Sequence, residues 1–198
     1  MTTAPPLPPF PRPSLSAAAR TALGRLAREA VRAALEHKPY QPTPPDDPAT
    51  RTTGGGCFVT LKTGGRLRGC LGCFESPAPL WRTVAEYARA SLLEDPRFAG
   101  QRVTPAEWPG LAMEVSVLSP LAPCPDPSGI ALGAHGIQVR GRRDGRRGCF
   151  LPQVATETGW DVATFWSRCC ADKAGLSPDA WRNGAAECFI FTAEVFEA

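Results

Sequence analysis

Apolar residues recur at helical spacing between residues 16 and 35, where Leu23, Leu26, Ala27, Ala30, Val31, Ala34 and Leu35 form one stripe. Arg20, Arg25, Arg28 and Arg32 are mostly left to the solvent side. The spacing predicts a helix from Ser14 or Ser16, either of which can cap it, to about Leu35. Residues 38–56 break the pattern with Pro, Thr, Asp and Gly and read as a long surface loop. The period then drops to two in "CFVTLKTGGRLRGCLG", which predicts a β-hairpin turning at Thr63, Gly64 and Gly65. Simple alternation puts Leu67 and Leu71 on one face of its second strand and Arg66, Arg68 and Cys70 on the other. Helical spacing returns at Leu80, Val84, Tyr87, Ala88 and Leu92, after Ser76 and Pro77, and stops at Pro96. An apolar strand, "LAMEVSVLSPL", follows and carries Glu114. A carboxylate in such a strand must find partners, become neutral or face a cleft.

The same succession begins again after the turn-rich connector "APCPDPSG". "GAHGIQVRGRRDGRRGCFLPQVA" reads as strand, turn and strand, a helix is expected from about Asp161 to Ala174 with Gly175 closing it, and "ECFIFTAEVFE" is the last strand. Short words match between the halves in the same order: "RGCL" with "RGCF", "TPAEW" with "SPDAW", and "MEVSV" with "AEVFE", which pairs Cys70 with Cys149, Trp108 with Trp181 and Glu114 with Glu194. The pattern predicts an α+β fold made of two repeated hairpin-helix-strand subdomains, residues 55–120 and 130–198, forming an antiparallel sheet flanked by helices and within a single domain spanning residues 14–198. One continuous sheet shared by both copies is the simplest arrangement of this kind. Residues 1–13 are too rich in proline for helix or sheet and read as an extended tail.

A chain of 198 residues has room for one substantial core. Its net charge of +3, with both signs dispersed, does not by itself point to nucleic acid. No apolar run approaches the length of a membrane span and prolines occupy the place of a secretory h-region, so a soluble cytoplasmic protein is expected. In that setting the eight cysteines are expected to remain thiols, most of them as small buried residues.

The exception is Cys70, between Gly69 and a following Leu71–Gly72. Glycines on both flanks allow a ligand or another backbone to approach. A thiol nucleophile at Cys70, thiolate support from Arg66 and Arg68, a base at His135 and orientation or substrate binding by Glu114 form the catalytic hypothesis. Against it stands a packing role for Cys70 and a turn role for His135. Cys70 and Cys73 have C-x-x-C spacing but no second such pair, so neither a metal site nor a cofactor is expected. Arg140, Arg142, Arg143, Arg146 and Arg147 cluster in the second hairpin and make a nucleic-acid-binding or protein-interaction module the alternative.

The words "FVTL", "LRGCLG", "DPRF", "MEVSVLSPL", "GAHGI", "LPQVA" and "KAGLSPDAW" together resemble the AMMECR domain family and its prokaryotic branch, the AmmeMemoRadiSam system protein A. The resemblance runs from about the first helix to the end of the chain. It implies an α+β fold of two related subdomains and association with a Memo-like protein and a radical S-adenosylmethionine enzyme. It does not imply a defined reaction. The residues expected at a functional cleft around the "LRGCLG" motif are Cys70, Glu114 and His135, with Arg66, Arg68, Gly69, Gly72 and Gln153 as substrate-binding positions. The proline-rich tail and Cys73 depart from the family pattern, and Cys149 stands where an aliphatic residue is more usual.

Overall fold

The computed structural model describes residues 13–198 and divides them into two compact units, residues 13–120 with 194–198, and residues 121–193. The tail expected over residues 1–13 lies, except for Pro13, outside the described residues.

In the first unit, helix α1 (Ala17–Leu35) starts where Ser16 Oγ accepts a hydrogen bond from Ala19 N–H, and it buries Leu23, Leu26, Ala27, Ala30 and Val31 along the expected stripe. Strands β1 (Gly56–Thr63) and β2 (Arg66–Cys73) form the hairpin. Its two-residue turn requires positive φ at both positions, which Gly64 and Gly65 adopt at 56° and 76°. Helix α2 (Leu80–Leu93) and strand β3 (Leu111–Leu118) follow. Val59, Leu61, Val84, Ala88, Met113 and Val115 join α1's stripe in one core, so both helices lie on a single face of the sheet.

In the second unit a two-residue strand β4 (Ala122–Pro123) occupies part of the expected connector. Strands β5 (Gly136–Gly141) and β6 (Arg147–Phe150) make the second hairpin. The helical part is broken into α3 (Pro152–Thr158), α4 (Val162–Arg168) and a π-helical turn, Cys169–Lys173. Strand β7 (Ala186–Phe191) completes the unit and β8 (Ala193–Glu197) ends the chain. The core here is built from Ile137, Val139, Phe150, Phe165, Trp166, Cys169, Cys170 and Ile190.

The expectation of one continuous sheet is corrected: there are two four-stranded sheets, ordered β2-β1-β3-β8 and β4-β7-β5-β6. Each sheet has its own hairpin and return strand, but the return strand of the second copy is β7 and not the "AEVFE" strand that the word match sets beside "MEVSV", so Glu114 corresponds in register to Phe189 and not to Glu194. The fourth strand is exchanged. β4, which follows the first copy, pairs with β7, and β8, which follows the second copy, lies beside β3.

Candidate functional site

The face of β1–β2–β3 turned away from the helices is where the register collects chemistry. Thr60 lies opposite Cys70 on one side and Glu114 on the other, so Cys70, Thr60 and Glu114 form one row across three strands. Side chains in such a row point the same way. The Thr60 hydroxyl donates to Cys70 Sγ at 3.3 Å. Two residues further along β1, Lys62 places Nζ 3.7 Å from Glu114 Oε2. Two strand spacings put Cys70 and Glu114 about 10 Å apart, too far for direct contact and suited to holding two ends of one small molecule.

The backbone at Cys70 is held from the sheet edge. Cys70 N–H donates to Asp95 Oδ2 at 2.9 Å, and the Cys70 carbonyl accepts from Arg97 Nη2 at 2.9 Å. Asp95 is buried and also takes hydrogen bonds from Arg97 N, Nε and Nη2, which hold its carboxyl below the usual carboxylate range, the Arg97 side chain contributing most. One row on, Ser91 Oγ of α2 accepts from Leu71 N–H and donates to the Val59 carbonyl, each close to 2.9 Å, and so pins both strands of the hairpin to the helix. The edge strand therefore has no open backbone at Cys70 for another strand to join.

The glycines of the motif have steric reasons. A Cβ at Gly69 would sit 2.1 Å from the Ser91 carbonyl oxygen, and one at Gly72 would sit 2.2 Å from the Cys57 carbonyl oxygen. Both positions admit another part of the protein, which is sufficient to account for them without a ligand.

The arginines do not surround the thiol as simple alternation predicts. The pairing skips Arg68 between Leu61↔Gly69 and Lys62↔Leu67, a β-bulge that resets the faces. Leu67 is thereby moved to the face of Cys70 and is 39% exposed, while Arg66 pairs with Thr63 and is exposed. The bulged Arg68 is spent on Glu107 and on the carbonyls of Gln101 and Arg102. The cation nearest the Cys70 backbone is Arg97, from "DPRF".

Cys70 and Glu114 belong to the first unit, His135 and Gln153 to the second. His135 is buried in the loop before β5, where its Nδ1 accepts from Ala131 N–H at 3.0 Å and its own N–H donates to the Ala131 carbonyl at 2.9 Å. Those bonds belong to the turn ahead of β5. Gln153 lies in the first turn of α3, its carbonyl taking a hydrogen bond from Thr156 Oγ1. The histidine of the first unit, His37, lines a groove of about 800 Å³ between α1 and α2 with Tyr40, Trp81 and Arg89, on the helix side of the sheet.

Cys70 and Cys73, three residues apart on one strand, point to opposite faces, so the C-x-x-C spacing does not make a chelating pair. Among the described residues no group of three or more His, Cys, Asp and Glu could hold a metal, and no helix is long and apolar enough to cross a membrane. In the arginine cluster, Arg142 is bonded to Glu187 and the Gly184 carbonyl, Arg146 to Asp144 and the Gly175 carbonyl, and Arg140 lies 5.1 Å from the Phe189 ring centre. Most of that charge is thus committed to the second unit itself.

Thr60, Lys62, Ser91, Asp95 and Arg97 were not singled out by the sequence. Only "DPRF" carried a signal, the Asp-Pro start of a 3-10 turn in which Asp95 Oδ1 accepts from Arg97 N–H.

The profile of the AMMECR1 family matches residues 24–196. Protein MK0488 of Methanopyrus kandleri is 41% identical over 184 residues, with 88% of this chain and 86% of that protein covered. Protein TK0174 of Thermococcus kodakarensis is 37% identical over 188 residues, with 88% of each covered. The crystal structure of the uncharacterized protein PH0010 from Pyrococcus horikoshii superposes with a TM-score of 0.78 at 36% identity, over 88% of this chain and 89% of that one.

Proposed function

The chain belongs to the AMMECR1 family, and on that premise we propose that it is a thiol-dependent binding component that presents Cys70 to a small electrophilic or thiol-reactive molecule held along the Cys70–Thr60–Glu114 row. The observation that carries the reading is the register that places a thiol, a hydroxyl and a carboxylate side by side on the face of the sheet opposite α1 and α2, with Lys62 at the carboxylate. Thr60 orients the sulfur, Asp95 and Arg97 fix the backbone that bears it, and Glu114 binds the far end of the ligand. The reading includes the partners implied by the family resemblance, a Memo-like protein and a radical S-adenosylmethionine enzyme, to which the loaded component would pass its cargo.

Competitive alkylation of the native protein with iodoacetamide, read by peptide mass, tests it. Cys70 is expected to react at least about tenfold faster than the other half-buried thiols, Cys73, Cys149 and Cys188, as an oriented and accessible thiol should. Thr60→Val is expected to remove most of that advantage. A Cys70 rate no greater than that of Cys149 would sink the proposal.

A further inference from the structure

Cys57 and Cys73 are directly opposed across the β1–β2 ladder, on its helix-facing side. Cys57 is fully buried and Cys73 half-buried, so one thiol of the pair is reachable and the other is kept behind it. Directly opposed residues of an antiparallel ladder have Cα atoms about 4.5–5.5 Å apart, inside the range of about 4.4–6.8 Å that a disulfide spans. We propose that Cys57 and Cys73 are a reversible dithiol–disulfide site whose substrate is a hydroperoxide, separate from the Cys70 row.

The reaction balances without a bound metal or cofactor. The Cys73 sulfur attacks the peroxide oxygen, the O–O bond breaks, and Cys73 becomes a sulfenic acid as water or an alcohol leaves. The Cys57 sulfur then attacks the Cys73 sulfur, the S–O bond breaks, and a second water departs with the Cys57 proton. The thiol pair has lost two electrons and the peroxide has gained them. An external thiol reverses the step by two exchanges.

The surroundings favour this order. Tyr87 of α2 lies beside Cys73, and its pKa is pushed up to about 12, first by burial and then by the neighbouring thiol. It therefore stays a neutral hydroxyl beside the sulfur throughout the physiological range. Burial pushes the Cys57 thiol up, with Cys73 the next contributor, which fits Cys57 as the second thiol to react and Cys73 as the first.

The second unit supplies an internal comparison. Cys124, the residue just after β4, is likewise a neighbour of Cys188 on β7, since Cys124 N–H donates to the Cys188 carbonyl at 2.8 Å. There both thiols are turned to backbone carbonyls, Cys124 Sγ to Asp126 at 3.4 Å and Cys188 Sγ to Trp181 at 4.0 Å.

The test is to expose the reduced full-length protein to hydrogen peroxide, digest it without reductant and map the products. The expected result is a Cys57–Cys73 cross-linked peptide, loss of two of the eight alkylatable thiols, full recovery with dithiothreitol, and Cys70 still open to alkylation. Cys73→Ser should abolish the cross-link. A Cys73 that oxidises to sulfinic acid without coupling, a Cys124–Cys188 link in its place, or retention of both Cys57 and Cys73 as free thiols while others oxidise would each overturn the proposal. Because the mapping is done on the unaltered chain, it holds even if a variant fails to fold, and because Cys70 is read separately, its outcome is distinct from that of the alkylation test.

Discussion

The two hairpins share a glycine and differ in almost everything beside it. In the first, Gly69 admits the Ser91 carbonyl of α2; in the second, Gly148 admits the backbone of Lys173 and Ala174 at the end of the π-helical turn, where a Cβ would lie 2.6 Å from Ala174 N. That is the common part of "RGC", a close approach between the second strand and the end of the following helix. The rows beginning at the cysteine then diverge. Cys70, Thr60 and Glu114 correspond to Cys149, Gln138 and Phe189. In each row a cation two residues along the central strand meets the third member: Lys62 pairs with Glu114, and Arg140 stacks on Phe189. One frame thus holds an ion pair beside a thiol in the first copy and a cation–π contact in the second. Only the first copy has "DPRF" to clamp its cysteine, because the chain runs from Lys173 to the matching "SPDAW" by a much shorter path. The shared features make the fold, and the divergent ones are where function should be sought.

The largest expected effect concerns what the copies share. Gly69→Ala and Gly148→Ala should each destabilise by about 3 kcal/mol or more, because the atoms met are backbone and cannot swing aside. Urea denaturation followed by tryptophan fluorescence checks this. A Gly69→Ala protein of normal stability would separate the two glycines and return Gly69 to a ligand-binding role.

Asp95 is specific to the first copy and comes next. Replacing it with Ala leaves the Cys70 N–H and the Arg97 donors without their buried acceptor, at a cost of about 2 kcal/mol. Its pKa is lowered in the folded state, chiefly by Arg97, so it contributes stability that is present above its unfolded value and is lost as pH falls through the folded one. Arg97 is more than half exposed, so solvent screening keeps the charged part of this contribution modest. Urea midpoints measured from pH 6 down to pH 3 should therefore decline less steeply in Asp95→Asn than in the unaltered protein. Equal slopes would show that the clamp acts only through its geometry. Either variant should also blunt the alkylation rate of Cys70 and leave that of Cys149 unchanged.

Periodicity made α1, α2 and both hairpins legible, because each of those elements buries one regular face: Leu23 to Leu35 for α1, Val59 and Leu61 for β1, Ile137 and Val139 for β5. What it could not show were departures from period and exchanges at long range. The bulge at Arg68 moves Leu67 out and removes Arg66 and Arg68 from the thiol, a single-residue slip that alternation cannot register. Division into two sheets depends on β4 and β8, one too short to have a pattern and the other joined to strands far away in the chain. At the site, Cys70 and Glu114 were visible as polar groups in apolar strands, but their shared row depends on register across β1, and Thr60 at its centre resembles any β-branched strand residue.

The smallest stability effect gives the sharpest comparison between the rows. Lys62 and Glu114 are 41% and 28% exposed, and an ion pair of that kind contributes about 0.5 kcal/mol, most of it screened at high salt. Arg140→Gln, which removes a contact with an aromatic face, should cost about as much but show little dependence on salt. Glu114→Gln should therefore be nearly invisible in a urea titration at 0.5 M salt. If its only purpose were stability, the carboxylate would have little effect anywhere. If it binds the far end of a ligand seated on Cys70, Glu114→Gln should leave the alkylation rate with neutral iodoacetamide unchanged and slow labelling by a cationic alkylating reagent about 10 Å long, whose charge reaches across Thr60. Equal slowing of both reagents would place Glu114 in the support of the thiol, and no change with either would leave the first row without a function that the second row lacks.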